Sequence, residues 1–207
     1  RGGDTVSDLT GVLHWSFAGA GGTDAWRIRP TEANPVQFTV ENPRPLTAPD
    51  VGGNVKVASF NVLNYFNTID TMGGSGSPRG ADSDAEFDRQ NEKLIQALVG
   101  IDGDIFGLIE MENNGDTANP AVKELVTRLN AFLGADIYDF INTGKVGDDQ
   151  ITNAFIYKKN VVKPLGINAI LDDPQFTDPN NTGQSRNRPA IAQNFIVIDG
   201  SNPNIGE

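Results

Sequence analysis

Apolar positions along the chain change period several times, and each change marks an element. Between Thr5 and Val40 they come in short runs: Leu9, Val12, Leu13, Trp15 and Phe17, then Trp26 and Ile28, then Val36, Phe38 and Val40, with Gly-rich turns between. Runs of this kind predict a few strands of a β-module. Glu41 to Gly53, ENPRPLTAPDVGG, holds three prolines and two glycines without apolar periodicity, which is how an extended linker reads. A boundary is expected there, with residues 1–48 as the tail of the β-module plus linker and 49–207 as a second domain.

Beyond the linker, Val55 to Asn61 alternates like a strand, and Asn67 to Ala81, rich in Gly and Ser, reads as a loop. Ser83 followed by Glu86 is a capping box; Phe87, Leu94, Ile95, Leu98 and Ile101 follow at helical spacing, and Gly100 and Gly103 are expected to stop the helix. Asp104 to Met111, DIFGLIEM, is nearly all apolar and of strand length, which fits a strand covered on both faces. Asn119 and Pro120 are expected as cap and first-turn residue of a second helix, whose stripe of Val122, Leu125, Val126, Leu129, Phe132 and Leu133 ends at Gly134. Further strands are expected over Ile137–Ile141, Ile151–Tyr157, Val161–Leu171 and Ala190–Ile198, with loops at Gly144–Gln150 and Asp172–Arg188. The sum is an α/β layer arrangement, helices on one face of a sheet that can stack on another sheet.

Composition narrows the chemistry. With 16 Lys and Arg against 27 Asp and Glu, the net charge is −11, so nucleic acid is not held by bulk positive charge and any phosphate site must be local. There is no Cys and a single His, His14, which excludes thiolate sites, disulfides and multi-His zinc. His14, beside Trp15 in the β-module, reads as a packing residue. No run approaches the roughly 20 apolar residues of a membrane span. Starting at Arg1 and ending at Glu207 soon after a strand-like run, the chain reads as a fragment.

Two polar residues stand at the ends of buried-type strands, Asn61 after VKVASF and Glu110 after DIFGLI. If these strands are parallel neighbours joined by the intervening helix, both side chains emerge at one sheet edge. Carboxylate and amide oxygens suit a hard divalent cation, and magnesium is commonly held by one or two carboxylates with water and substrate phosphate completing its shell. The plainer alternative is that Glu110 ends its strand at the surface. Arg188 in QSRNRPAIAQNF is a fork-shaped phosphate donor placed before a strand, against the commoner case of an exposed loop arginine. Asp148 and Asp149 precede ITNAFIY and either point at the same edge or solvate a loop. Asp70 to Asp116 carries 11 acidic and three basic residues, a metal-recruiting region or a solvated face. DPNNTG at Asp178–Gly183 superficially matches a calcium loop, but Pro189 stands where the bidentate Glu is needed.

KVASFNVLNYFNT, RGADSDAEFDRQNEKLIQAL, DIFGLIEMENNG, DDQITNAFIYKK and RNRPAIAQNF, in that order, resemble the secreted bacterial nucleases of the endonuclease/exonuclease/phosphatase superfamily, over about Asn54 to Ile198. GDTVSDLTGVLHWSF and WRIRPT look like the tail of the small oligonucleotide-binding-like β-barrel that such nucleases carry ahead of the catalytic domain. The resemblance implies a four-layer α/β sandwich, of which residues 49–207 are the N-terminal half, and metal-dependent hydrolysis of nucleic-acid phosphodiesters, DNA first, with Mg2+ or with Mn2+ or Ca2+ in its place. It implies that Asn61 positions metal-bound phosphate or the attacking water, that Glu110 binds the metal, that Arg188 lies beside the phosphate, and that Asp149 and Tyr157 lie close to the cleft. A secreted or periplasmic location follows from the same resemblance; no membrane span and no protein partner are expected.

The family's later motifs, a histidine base, an Asp-x-Asn pair and a terminal Asp-His pair, would lie beyond Glu207, so the chain alone is expected to be inactive or nearly so, with an exposed sheet face that favours poor solubility or dimerisation. Two other readings compete: a phosphatase of the same superfamily acting on small or lipid phosphate esters, and a non-catalytic secreted module whose acidic stretch binds calcium.

Overall fold

A computed structural model describes residues 2–17, 22–70, 79–173, 177–178, 180–185 and 187–198. Over these residues the chain is mixed α/β, with two helices and several small sheets. It divides into two compact units, Arg1–Ala48 and Pro49–Glu207.

In the first unit, β1 (Thr5–Val6) pairs antiparallel with β4 (Phe38–Thr39), and β2 (Val12–Ser16) pairs antiparallel with β3 (Ala25–Arg29). The Asp4 carboxylate ties the end of the first ladder, accepting from the Glu41 and Asn42 N–H groups at 3.2 and 3.1 Å. Alternation along β2 and β3 puts Leu13, Trp15, Trp26 and Ile28 on one face, with the two indoles opposite each other and edge-on at 5.2 Å. All of these side chains are exposed, and no described residue of this unit is buried.

The second unit is built in the order β5 (Val57–Tyr65), α1 (Asp84–Ile101), β6 (Ile105–Glu112), α2 (Ala121–Leu133), β7 (Tyr138–Phe140), β8 (Ile151–Lys158), β9 (Val162–Leu171), β10 (Thr177–Asp178), β11 (Asn181–Ser185) and β12 (Ala190–Val197). Its central sheet runs β5-β6-β8-β7, with β5 and β6 parallel and the other pairs antiparallel. The period of two sorts side chains between the sheet's faces. Phe106, Leu108, Ala154 and Ile156 meet Leu98 of α1 and Leu125 and Leu129 of α2 in the main core. Ile105, Phe155 and Tyr157 turn the other way and meet Val162 of β9 and Phe195 of β12, whose ring lies 5.5 Å from that of Tyr157. A helix layer, a four-stranded sheet and an antiparallel β9–β12 ladder are thus packed through one unit.

Several expectations change in detail. Helix α1 starts as its capping box dictates, with Ser83 Oγ accepting from the Glu86 N–H, but it stops at Asp102 in the left-handed conformation (φ 53°), not at a glycine. Gly100 lies inside the helix. Helix α2 is not capped by Asn119: Pro120 occupies the cap position, and the Ala121 N–H is satisfied by Asn114 Oδ1 at 2.9 Å. Phe132, expected in the buried stripe, is exposed. The expected Asp172–Arg188 loop contains the β10–β11 ladder. Finally, β5 does not end at Asn61 but continues to Tyr65 through an irregular segment that shapes the rim.

Candidate functional site

At the end of the central sheet where β5 and β6 finish and β8 begins, both parallel strands break their regular pairing. The β5–β6 register shifts between Asn61 and Tyr65, and the β6–β8 register shifts between Leu108 and Met111. Leu108 and Met111 both enter the main core although three residues apart, as do Val62 and Tyr65. Between paired positions β5 takes four steps to two of β6, and β6 takes three to two of β8, so both strands carry extra residues, and irregularities of this kind re-aim side chains. The cost shows in the backbone: Leu63, Asn64 and Glu110 have φ of 57°, 49° and 67°, the left-handed region that L-residues other than Asn and Asp seldom adopt. Strain of this order, about 1–3 kcal/mol per residue, persists only where surroundings enforce it, and clusters at functional sites.

Here the surroundings are visible. Asn61 sits opposite Ile109 in the β5–β6 ladder, one position from Glu110. The Asn61 amide oxygen accepts from the Leu63 N–H at 2.8 Å, and a Glu110 carboxylate oxygen accepts from the Asn64 N–H at 3.3 Å. From helix α1, Gln90 donates to the Val62 and Leu63 carbonyls at 3.3 and 2.9 Å, clamping the turn from outside the sheet. Asn61 and Glu110 thus emerge at one edge, each holding the strained turn between them.

The polar run after the buried strand fixes the rest of the rim. Glu112 accepts from the Asn67 and Thr68 N–H groups at 2.9 and 3.1 Å. Buried Asn113 donates to the carbonyls of Val146 and Asp149, both at 2.8 Å, and accepts from the Val146 N–H at 2.8 Å. Asn114 bonds to Asn67 Oδ1 at 2.8 Å and caps α2 as described above. Sequence reasoning passed over these three residues. The signal was there, because polar side chains in direct succession to a fully buried strand must find partners or forfeit burial.

Through Asn113, the loop carrying Asp149 is drawn to the same edge, where Asn113 N–H also donates to the Gln150 carbonyl at 2.8 Å. Asp149 lies between two arginines: Arg188 Nε donates to one carboxylate oxygen at 2.8 Å, and an Arg79 terminal nitrogen lies 3.4 Å from the other. Burial pushes the Asp149 carboxyl up, but the Arg188 hydrogen bond and the charges of Arg188 and Arg79 outweigh it, so the group is held below its ordinary value. Among the described residues the terminal nitrogens of Arg188 donate to no other group, so they are open to an anion.

Tyr157 is not at this edge. It pairs with Ile105 at the opposite end of β6, is buried against Phe195, and bonds weakly to Asp139 at 3.5 Å. Its phenol is pushed up to about 12 by burial and by the Asp139 carboxylate. The rim therefore unites Asn61, Glu110, Asp149 and Arg188 and leaves Tyr157 on the far side of the sheet.

Among the described residues no group of three or more His, Cys, Asp or Glu side chains is placed to hold a metal. Glu110, half-buried with a single long hydrogen bond, and Asn61, whose amide oxygen retains a second lone pair, fit a magnesium-type ion whose remaining ligands are water and substrate oxygens. Among the described residues no helix is long and apolar enough to cross a membrane. Comparison of the chain with protein-family models, with curated proteins and with solved structures found no match.

Proposed function

We propose that this rim is the metal- and phosphate-binding part of a divalent-metal-dependent phosphodiesterase acting on nucleic acid, in a deoxyribonuclease-I-like sandwich of which the three packed layers are a part. The observation that carries the reading is the meeting of Asn61, Glu110 and the Asp149–Arg188 pair on one sheet edge, over a backbone held in the left-handed region at three residues. A bound divalent cation would neutralise phosphoryl charge there. Glu110 would hold the ion, and the Asn61 amide would orient the phosphate or the attacking water. Arg188, already fixed by Asp149, would present its terminal nitrogens to phosphoryl oxygens without reorganisation, which is where an electrostatic contribution is largest. By the same resemblance the first unit is an oligonucleotide-binding-like module and the protein acts outside the cytoplasm.

The chain's single imidazole, His14, belongs to the first unit. Turnover is expected to depend on a positioned base, which contributes a factor of about 100 or more. Metal binding is the sharper test. In calorimetry the chain is expected to bind Mg2+ and Glu110→Ala to abolish the heat; an unchanged titration in the variant would overturn the assignment.

A further inference from the structure

Beside the rim, a cavity of about 400 Å3 opens between the strained turn Leu63–Asn64 and helix α1, lined also by Arg79, Arg89 and Lys93. We infer that it is a second phosphate subsite, which takes the backbone of a nucleic-acid strand one or more nucleotides from the rim. The inference rests on the phosphodiesterase reading and adds to it, since a subsite outside the rim has a use only for a substrate carrying several phosphates.

Three independent observations converge. First, the stretch Asp70–Asp116 holds 11 acidic residues and only three basic ones, and all three basic residues line this cavity. In a chain of net charge −11, cations gathered in one concavity form the local phosphate site that such a charge requires. Second, Arg89 and Lys93 are exposed, stand four residues apart on one face of α1, and among the described residues form no ion pair. At that spacing the two cationic groups are neighbours on the helix surface. The one carboxylate lining the cavity, Glu86, is turned to the helix start, where it accepts from the Asp82 N–H at 3.0 Å.

Third, the cavity is joined to the rim by shared residues. Asn64, in its wall, donates to Glu110, and Arg79 reaches Asp149, the partner of Arg188. Arg79 is brought in by Gly80, which packs so closely on Phe66 that a side chain there would collide with it. Cations therefore continue from Arg188 through Arg79 to Arg89 and Lys93, the footprint of a strand and not of one phosphate group.

The test uses the full chain with EDTA present, so that it is independent of the metal. A fluorescein-labelled single-stranded DNA of about 12 nucleotides, a length within the reach of such grooves, is titrated by anisotropy across a salt series. Arg89→Ala/Lys93→Ala is expected to bind about tenfold more weakly at low salt, the loss for two exposed charge-assisted contacts. Its salt dependence should flatten by about 1.4 in log–log slope, 0.7 per lost phosphate contact. Lys123→Ala, on the other helix, should leave both unchanged. Circular dichroism should show the double variant folded and no less stable, since a like-charge pair has been removed. Unchanged affinity and slope in the double variant, no binding by the wild type, or binding by the wild type to anionic lipid vesicles but not to the oligonucleotide would each overturn the inference. If magnesium binding at Glu110 fails while this test succeeds, the strand-binding cavity stands without the catalytic reading.

Discussion

Strands of the two units show a similar alternation in sequence and differ in how deeply their apolar faces are buried. In the first unit, Trp15 and Trp26 alternate with polar residues as faithfully as any strand in the second, yet they remain 53% and 62% exposed. In the second, Phe106, Leu108 and Ile156 reach zero exposure because α1 and α2 cover that face of the sheet. Period-two alternation thus predicts strands and their faces but not a core; a core needs a second layer, and two-stranded ladders without one are marginal in water.

The broadest test of the contrast is truncation on each side. Phe106→Ala is expected to cost about 3–5 kcal/mol in urea unfolding, the usual range for emptying a buried aromatic site. Trp26→Ala should stay within about 1 kcal/mol, the edge-on ring contact being nearly all there is to lose. Comparable costs for the two would mean that the first unit has a cover in solution.

A second test separates core from rim inside the second unit. Asn113→Ala strands the Val146 N–H and the loop carbonyls it served, and is expected to cost about 1–3 kcal/mol. Hydrogen exchange should quicken at residues 146–150 while the amides of α2 stay protected. Uniform loosening of both would show that Asn113 supports the core and not the Asp149 loop.

The third and smallest effect concerns the opposite end of the sheet. Burial pushes the Asp104 carboxyl up, but its hydrogen bonds from the Lys56 N–H at 2.8 Å and from Lys158 at 3.0 Å prevail and hold it low. A carboxyl lowered on folding contributes stability above its unfolded value, about 3.9, and loses it as pH falls through the folded one. The unfolding midpoint should therefore be level between about pH 5 and 7 and decline below about pH 4. Asp104→Asn should soften that decline, and an unaltered acid limb would remove Asp104 from the account.

Where sequence and structure agree, the signal was local or strictly periodic. Ser83 and Glu86 set the start of α1, Gly134 ends α2, and DIFGLIEM forms a strand with both faces covered over most of its length. The parallel pairing of β5 with β6, on which the placement of Asn61 beside Glu110 depends, also follows from the strand–helix–strand order. What escaped was irregular or distant. The bulges at Leu63–Asn64 and Glu110 break the period that makes strands legible, and the Asn114 cap reaches Ala121 from before the helix-start motif that Asn119 and Pro120 seemed to supply. Tyr157 was placed near the cleft by likeness to a family, whereas its register against Ile105 follows only from the antiparallel entry of β8.

The clamp that Gln90 makes on Leu63, like the bonds from Asn64 to Glu110 and from Arg188 to Asp149, spans a long stretch of chain, 27, 46 and 39 residues respectively. Contacts of such separation form only once the intervening loops have closed. The rim is consequently a readout of tertiary closure: none of these three bonds can form within a single element, so a molecule whose strand ends have opened keeps its helices and loses all three together.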